Sequence, residues 1–183
     1  MAAMRKAIAV LAALAALAVV PAAAAHPLGN FTINRFSRIE VSGPRIYVRY
    51  VLDLAEIPTF QAGRIDPRAY ARRIANNARL NADGRRVELT PVAEALAHPP
   101  GAGGLKTTRL EVVLRGPRLA GRTAIRYADT NFAGRIGWKE VVVGAAAPSR
   151  SDELRAYPKD LLSSPLDVTT ASATVAPART RDV

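Results

Sequence analysis

A mostly β fold, and within that class an immunoglobulin-like antiparallel β-sandwich with one short helix, follows from three features of the sequence. Apolar and polar residues alternate over short runs, most clearly where Ile46, Val48, Tyr50, Leu52 and Leu54 share one side of a strand. Turn-forming clusters such as Ser42-Gly43-Pro44-Arg45 and Asn81-Ala82-Asp83-Gly84 separate those runs. Helical signals gather at one place, Asp66-Pro67, which reads as an N-cap followed by proline at the first helical position. About seven short strands punctuated by turns and joined by a single helix make a sandwich the economical arrangement.

The chain opens on something else. Residues 1–6 carry Arg5 and Lys6, residues 7–20 are apolar without a charge, and Ala23 and Ala25 supply small residues at the spacing a signal peptidase needs. This is the three-part pattern of a secretory signal, with an apolar run short for a membrane span. An uncleaved anchor is the alternative reading. Cleavage after Ala25 makes His26 the first mature residue, whereas cleavage after Ala24 leaves Ala25 ahead of it. The organisation expected is therefore a signal over residues 1–25, an exported domain over 26–175, and a disordered tail over 176–183 that lacks any apolar pattern. The expected location is periplasmic or otherwise extracytoplasmic, with membrane association left open.

Within the exported part, Phe31, Ile33, Ile39 and Val41 alternate with polar residues, and Phe36 falls out of phase. A bulge or change of face at residues 35–37 would account for that. With residues 46–54 this run reads as an antiparallel hairpin. Pro58 is expected to end the strand region and residues 59–63 to form a loop. The helix from Asp66-Pro67 should run to about Leu80, with Tyr70, Ile74 and Ala78 on one face. Further strands are expected over residues 85–96, interrupted at Pro91, and over 105–115, 123–128, 138–143 and 168–175. Residues 98–104 read as a flexible Pro/Gly loop, 145–151 as an exposed loop, and 152–161 as a short turn or helix.

Composition excludes several classes of function. The chain has 26 Lys and Arg against 15 Asp and Glu, a net charge of +11, and no cysteine. Such a balance raises nucleic acid as a partner. Yet the arginines are scattered, without a basic run or interleaved aromatics, and export argues the same way. The abundance of Arg over Lys alongside Ala, Gly and Pro reads as coding bias. Attraction to an anionic membrane surface or an acidic partner remains. Without cysteine there is neither a thiolate metal site nor a thiol nucleophile. Two histidines, His26 and His98, offer little for a catalytic triad, and Gly101, Gly103 and Gly104 lack the helix and Lys-Ser/Thr pair of a phosphate loop. The neighbours Asp152 and Glu153 read as solvated surface. An enzyme is not expected.

A metal site is the chemistry that the residues favour. An amino-terminal histidine offers its α-amino nitrogen and its imidazole, with ordinary pKa values of about 7.7–8.0 and about 6.5. A borderline ion such as Ni²⁺, Co²⁺ or Cu²⁺ displaces both protons near neutral pH. Pro27 lacks a backbone N–H, which excludes the square-planar motif that recruits successive amide nitrogens. Further ligands would have to come from elsewhere, and Asp53, Glu56 and Asp129 are the candidates. A terminal histidine without a metal role, Asp53 and Glu56 as an ordinary strand end, and Trp138 as core packing are the plainer alternatives.

Four stretches carry a family resemblance. They are His26-Pro27-Leu28-Gly29-Asn30-Phe31-Thr32-Ile33-Asn34, Tyr50-Val51-Leu52-Asp53-Leu54-Ala55-Glu56-Ile57-Pro58-Thr59-Phe60-Gln61, the run from Tyr127 through Asp129 and Asn131 to Glu140, and the run from Tyr157 through Asp160 to Val168. Together they resemble the amino-terminal extracytoplasmic domain of bacterial nickel/cobalt transporters of the NicO type. The resemblance spans nearly all of the expected mature chain. It implies an accessory or sensor role in movement of Ni²⁺ or Co²⁺ across the cytoplasmic membrane, next to a membrane-spanning transporter subunit or domain. This sequence departs from the family by ending at Val183 without spanning helices. It is then a separately encoded subunit, a truncated gene product, or a free-standing relative. A metal-free β-sandwich serving protein interaction and a periplasmic copper-binding protein are the alternative functions.

Overall fold

The computed structural model describes residues 28–157 and 164–178. The expected signal, His26 and residues 179–183 of the expected tail lie outside the described residues. Nine strands are described: β1 (Ile33–Ser42), β2 (Arg45–Leu54), β3 (Ala78–Ala82), β4 (Arg85–Val87), β5 (Thr90–Ala97), β6 (Thr108–Arg118), β7 (Thr123–Asp129), β8 (Lys139–Val143) and β9 (Thr170–Val175). They form a five-stranded sheet in the order β5-β6-β2-β1-β8 and a four-stranded sheet in the order β4-β3-β7-β9. The protein is a β-sandwich. Neighbouring strands pair antiparallel, with one exception: β8 lies parallel to β1, with Arg35 opposite Lys139 and Ile39 opposite Val143.

Two helices join β2 to β3 where one was expected. The first, α1 (Glu56–Ala62), occupies the stretch read as a strand end and loop. Pro58 does not prevent it, because it stands in the first turn, where a backbone N–H has no helical partner to lose. The second, α2 (Pro67–Asn77), begins as the sequence signals: the Asp66 carboxylate accepts the N–H groups of Arg68 at 2.9 Å and Ala69 at 3.3 Å. It stops at Asn77 and not near Leu80, because Ala78 and Leu80 leave to pair with Asp129 and Tyr127 of β7.

The core between the sheets takes Ile39 from β1, Val48, Tyr50, Leu52 and Leu54 from β2, Leu110, Val112 and Leu114 from β6, and Leu80, Ile125 and Tyr127 from the smaller sheet. Ile74 of α2 joins them. A second, smaller cluster lies on the outer face of the larger sheet, where Phe36, Val51, Trp138 and Leu154 are buried together, with Leu28, Val142, Tyr157 and Leu166 packed on them. This cluster explains the phase break at Phe36. Strand β1 has no bulge, and its register with β2 runs unbroken from Ile33–Leu54 to Ser42–Arg45. Phe36 serves the outer cluster, while Arg35 and Ser37 occupy interior positions as buried polar residues.

Those interior polar groups satisfy one another across the sandwich. Arg35 Nε donates to Asp129 Oδ2 at 2.8 Å and Nη1 to the Phe132 carbonyl at 3.0 Å. Tyr127 and Ser37 share a hydrogen bond between hydroxyls at 3.0 Å, and the Tyr50 hydroxyl donates to Asp129 at 3.3 Å. Burial, and after it the nearby Asp129 charge, pushes both phenols well above the ordinary tyrosine value, so they stay protonated.

The outer cluster is closed by residues 144–157. Ser151, in the stretch expected to be exposed, is fully buried. The Glu140 carboxylate gathers the Trp138 indole N–H (2.9 Å), the Ser151 hydroxyl (2.7 Å) and the N–H of Arg150 (2.6 Å). Glu153, expected on a solvated surface with Asp152, is buried against Arg38 (2.9 Å) and Arg49 (2.9 Å). Asp152, Glu153 and Leu154 all have positive φ (45°, 55° and 63°), a left-handed turn costly for non-glycine residues that these contacts hold in place. Among the described residues no helix is long and apolar enough to cross a membrane.

Candidate functional site

The strands bring one end of the sandwich to prominence. The start of β1, the end of β2, the start of β6, the end of β7 and the start of β8 all meet there. The chain enters at this end through a turn at residues 28–32, in which the Thr32 hydroxyl donates to the Gly29 carbonyl at 3.0 Å. Two backbone bonds then fix the turn to α1: Ile57 N–H donates to the Asn30 carbonyl at 3.0 Å, and Ala55 N–H to the Thr32 carbonyl at 3.1 Å. The first described residue, Leu28, packs on the outer cluster, as Tyr157 does.

Asp53 and Glu56 both stand at this end. Asp53 lies opposite Asn34 in the β1–β2 register, on the outer face of the sheet. Its Oδ2 accepts the Tyr157 hydroxyl at 2.8 Å and the Asn34 amide at 3.5 Å. Asn34 Oδ1 in turn accepts the Trp138 N–H at 2.8 Å, and the Trp138 ring meets Tyr157 edge-on with centroids 6.0 Å apart. Burial of the Tyr157 phenol, and next the Asp53 charge, pushes its pKa up, so it remains a proton donor to the carboxylate.

Glu56 has no solvent exposure. Its Oε1 accepts the Ala102 N–H at 2.8 Å, so the Pro/Gly loop folds over the carboxylate. The approach is close enough that a β-carbon on Gly101 would lie 2.7 Å from Glu56 Oε1. That loop is organised: Gly101 N–H donates to the Leu105 carbonyl at 2.8 Å and Thr107 N–H to the Pro99 carbonyl at 3.0 Å. His98 is at the same end, with Nδ1 3.2 Å from the Thr108 hydroxyl, which also meets the Thr59 hydroxyl at 3.1 Å.

Asp129 does not join Asp53 and Glu56. It lies between the sheets, whereas Asp53 faces outward from the larger sheet. Besides Arg35 and Tyr50, it accepts the N–H and the side-chain amide of Asn131, both at 2.9 Å. Its lone pairs are committed to the interior network. Among the described residues no group of three or more His, Cys, Asp or Glu is arranged to hold a metal ion. His26 lies outside the described residues.

The residues that sequence reasoning did not assign are Tyr157, Asn34 and Gly101. Tyr157 and Asn34 lie inside the stretches that carry the family resemblance. Gly101 had no signal of its own, since its role depends on a carboxylate distant in sequence. No protein-family model, no curated protein and no solved structure matches this chain.

Proposed function

We propose that this is an exported, non-catalytic accessory or sensor domain for nickel or cobalt movement across the cytoplasmic membrane, in which His26 as the mature amino terminus holds the ion with Asp53 and Glu56. The observation that carries this reading is the docking of the segment that begins at Leu28. It hydrogen-bonds through Asn30 and Thr32 to the start of the helix bearing Glu56, and it runs into the strand registered against Asp53. Two nitrogens and carboxylate oxygens form a donor set suited to borderline divalent ions. The nickel or cobalt assignment and the membrane-spanning transporter partner rest on the sequence resemblance. Asp129 is left out of the ligand set.

Mass spectrometry of the exported protein tests the terminus, and thermal melting with Ni²⁺, Co²⁺ and Cu²⁺ tests the site. Binding raises the melting temperature of a chain beginning at His26. That rise disappears in His26→Ala and when one residue is placed ahead of His26. Tighter Cu²⁺ binding alone would not favour a copper protein, because the Irving–Williams order puts Cu²⁺ first at any such site. Growth of a deletion strain on each metal separates those two.

A second reading has its own support. The Tyr157 hydroxyl and the Ala102 N–H already hold the Asp53 and Glu56 carboxylates in place, as a metal-free interaction module would require. No melting response to any of the three ions, together with crosslinking to a membrane partner, would select it.

A further inference from the structure

We propose that the end of the sandwich bearing Phe31, Phe60 and Ile136 docks on an anionic lipid bilayer, with these three side chains entering the headgroup region. The inference does not depend on metal binding. Large apolar side chains in this fold are mostly covered, yet Phe31 is 68% exposed, Phe60 75% and Ile136 72%. They come from three separate segments, namely the entry turn, α1 and the loop from β7 to β8. Backbone bonds assemble them at one end: Asn30 is tied to Ile57, one helical turn before Phe60, and Ile136 accepts the N–H of Ile33 at 2.9 Å.

Positive charge predominates around them. Arg64, Arg73 and Arg135 are exposed here, and none enters an ion pair among the described residues. Arg73 lies over the Phe132 ring, 5.4 Å from its centroid, which sets it beside the loop carrying Ile136. Most carboxylates of this end are removed from the surface or paired. Asp53, Glu56 and Asp129 are buried, and Asp167 is paired with Lys139 at 3.0 Å. Asp66 is exposed but serves as the N-cap of α2. Apolar tips ringed by arginine match an interface with anionic headgroups above acyl chains, and the net charge of +11 adds long-range attraction. A lipid surface fits better than a folded partner. Separate side chains on a turn, a helix and a loop can each enter a fluid interface without the continuous complementary core that a protein interface requires.

The full chain is mixed with vesicles of phosphatidylcholine and phosphatidylglycerol, and the fraction that sediments with them is followed. The triple variant Phe31→Ser, Phe60→Ser, Ile136→Ser keeps residues 1–25 unchanged, so their own affinity for lipid is common to both proteins. All three sites are exposed, and an unchanged melting temperature checks the fold. We expect the wild type to sediment with the vesicles and an apparent partition weakened by about tenfold or more in the triple variant. The pair Arg64→Gln, Arg135→Gln should weaken the preference for anionic over neutral vesicles, as should high salt with the wild type. Absent binding, or equal binding by the triple variant, would overturn the proposal. So would an anionic preference in the arginine pair equal to that of the wild type, or a lipid-free dimer that the triple substitution dissolves.

Discussion

Arg35 of β1 and Asp129 of β7 meet at 2.8 Å across the interior of the sandwich, 94 residues apart in sequence and with almost no solvent contact. Their contact links the two sheets through charge where both flanking cores are apolar. A buried pair of this kind is worth little against a well-packed apolar substitute, but breaking it leaves an uncompensated charge. Asp129→Ala should therefore destabilise the protein by about 3–5 kcal/mol. Arg35→Met combined with Asp129→Leu should lose much less than the sum of the single changes. Urea unfolding of the wild type, Asp129→Ala, Arg35→Met, Asp129→Leu and the double variant measures this. None of the single changes should alter a metal-induced melting shift measured on the protein that remains folded.

The same pair shows what could be read from the sequence and what could not. Strand β2 was legible because its interior face is apolar throughout. In β1, Arg35 and Ser37 point into the core, and a pattern that treats charge as a mark of solvent must misplace them. The apparent phase break at Phe36 is thus a second buried face rather than a bulge. Helix α2 was legible from Asp66-Pro67 because its start is fixed by neighbouring residues alone. Its end was not, because it depends on the pairing of Ala78 and Leu80 with β7. Helix α1 was hidden by its seven-residue length, by Pro58, and by Ala55, which offers no side-chain cap. At the candidate site, nothing in the sequence placed the entry segment near Asp53 or Glu56. Asp129 looked equally available, since nothing local shows which side of a sheet a strand end will face or that Arg35 will occupy it.

Glu153 carries the second prediction. Burial pushes its carboxyl up, but the hydrogen bond from Arg38 and the charges of Arg49 and Arg38, with a further bond from Arg155, more than offset this and hold it below the ordinary value. A carboxyl with a lowered folded pKa contributes stability that is present above the unfolded value and lost as pH falls through the folded one. Acid should therefore weaken the turn over residues 150–155, whose left-handed backbone depends on that clamp. Hydrogen exchange in this turn should rise below the ordinary glutamate range before exchange in β2 and β6 does. Glu153→Gln should raise it already at neutral pH and flatten the dependence.

Gly101 carries the third. Its own φ of −117° suits any residue, so only space restricts it. A methyl group there meets the Glu56 carboxylate, whose Cγ and Cδ lie 2.8 and 3.0 Å from the added carbon. Gly101→Ala should lower stability by about 1–3 kcal/mol. It should also abolish any metal-induced melting shift that requires Glu56. Gly103→Ala makes a comparison of opposite character, since no atom lies within 4 Å of the added carbon but the backbone has a φ of +62°. Its loss should come from backbone strain, with the metal response kept.

Tyr157 distinguishes the two functional readings. Its ring packs on Trp138 and its hydroxyl donates to Asp53, so Tyr157→Phe removes the donor while keeping the packing. Losing a hydrogen bond to a charged group should destabilise the protein by about 1.5–3 kcal/mol, and Trp138 emission should stay close to that of the wild type. If the domain is a metal-free interaction module, neither the wild type nor this variant nor Asp53→Asn will respond to Ni²⁺ or Co²⁺. If Asp53 is a ligand, Tyr157→Phe will keep or strengthen the metal-induced melting shift, because the phenol no longer competes for Oδ2. Asp53→Asn will then weaken that shift, because an amide oxygen brings no charge to the ion. A loss of the shift in Tyr157→Phe with retention in Asp53→Asn would contradict Asp53 as a ligand.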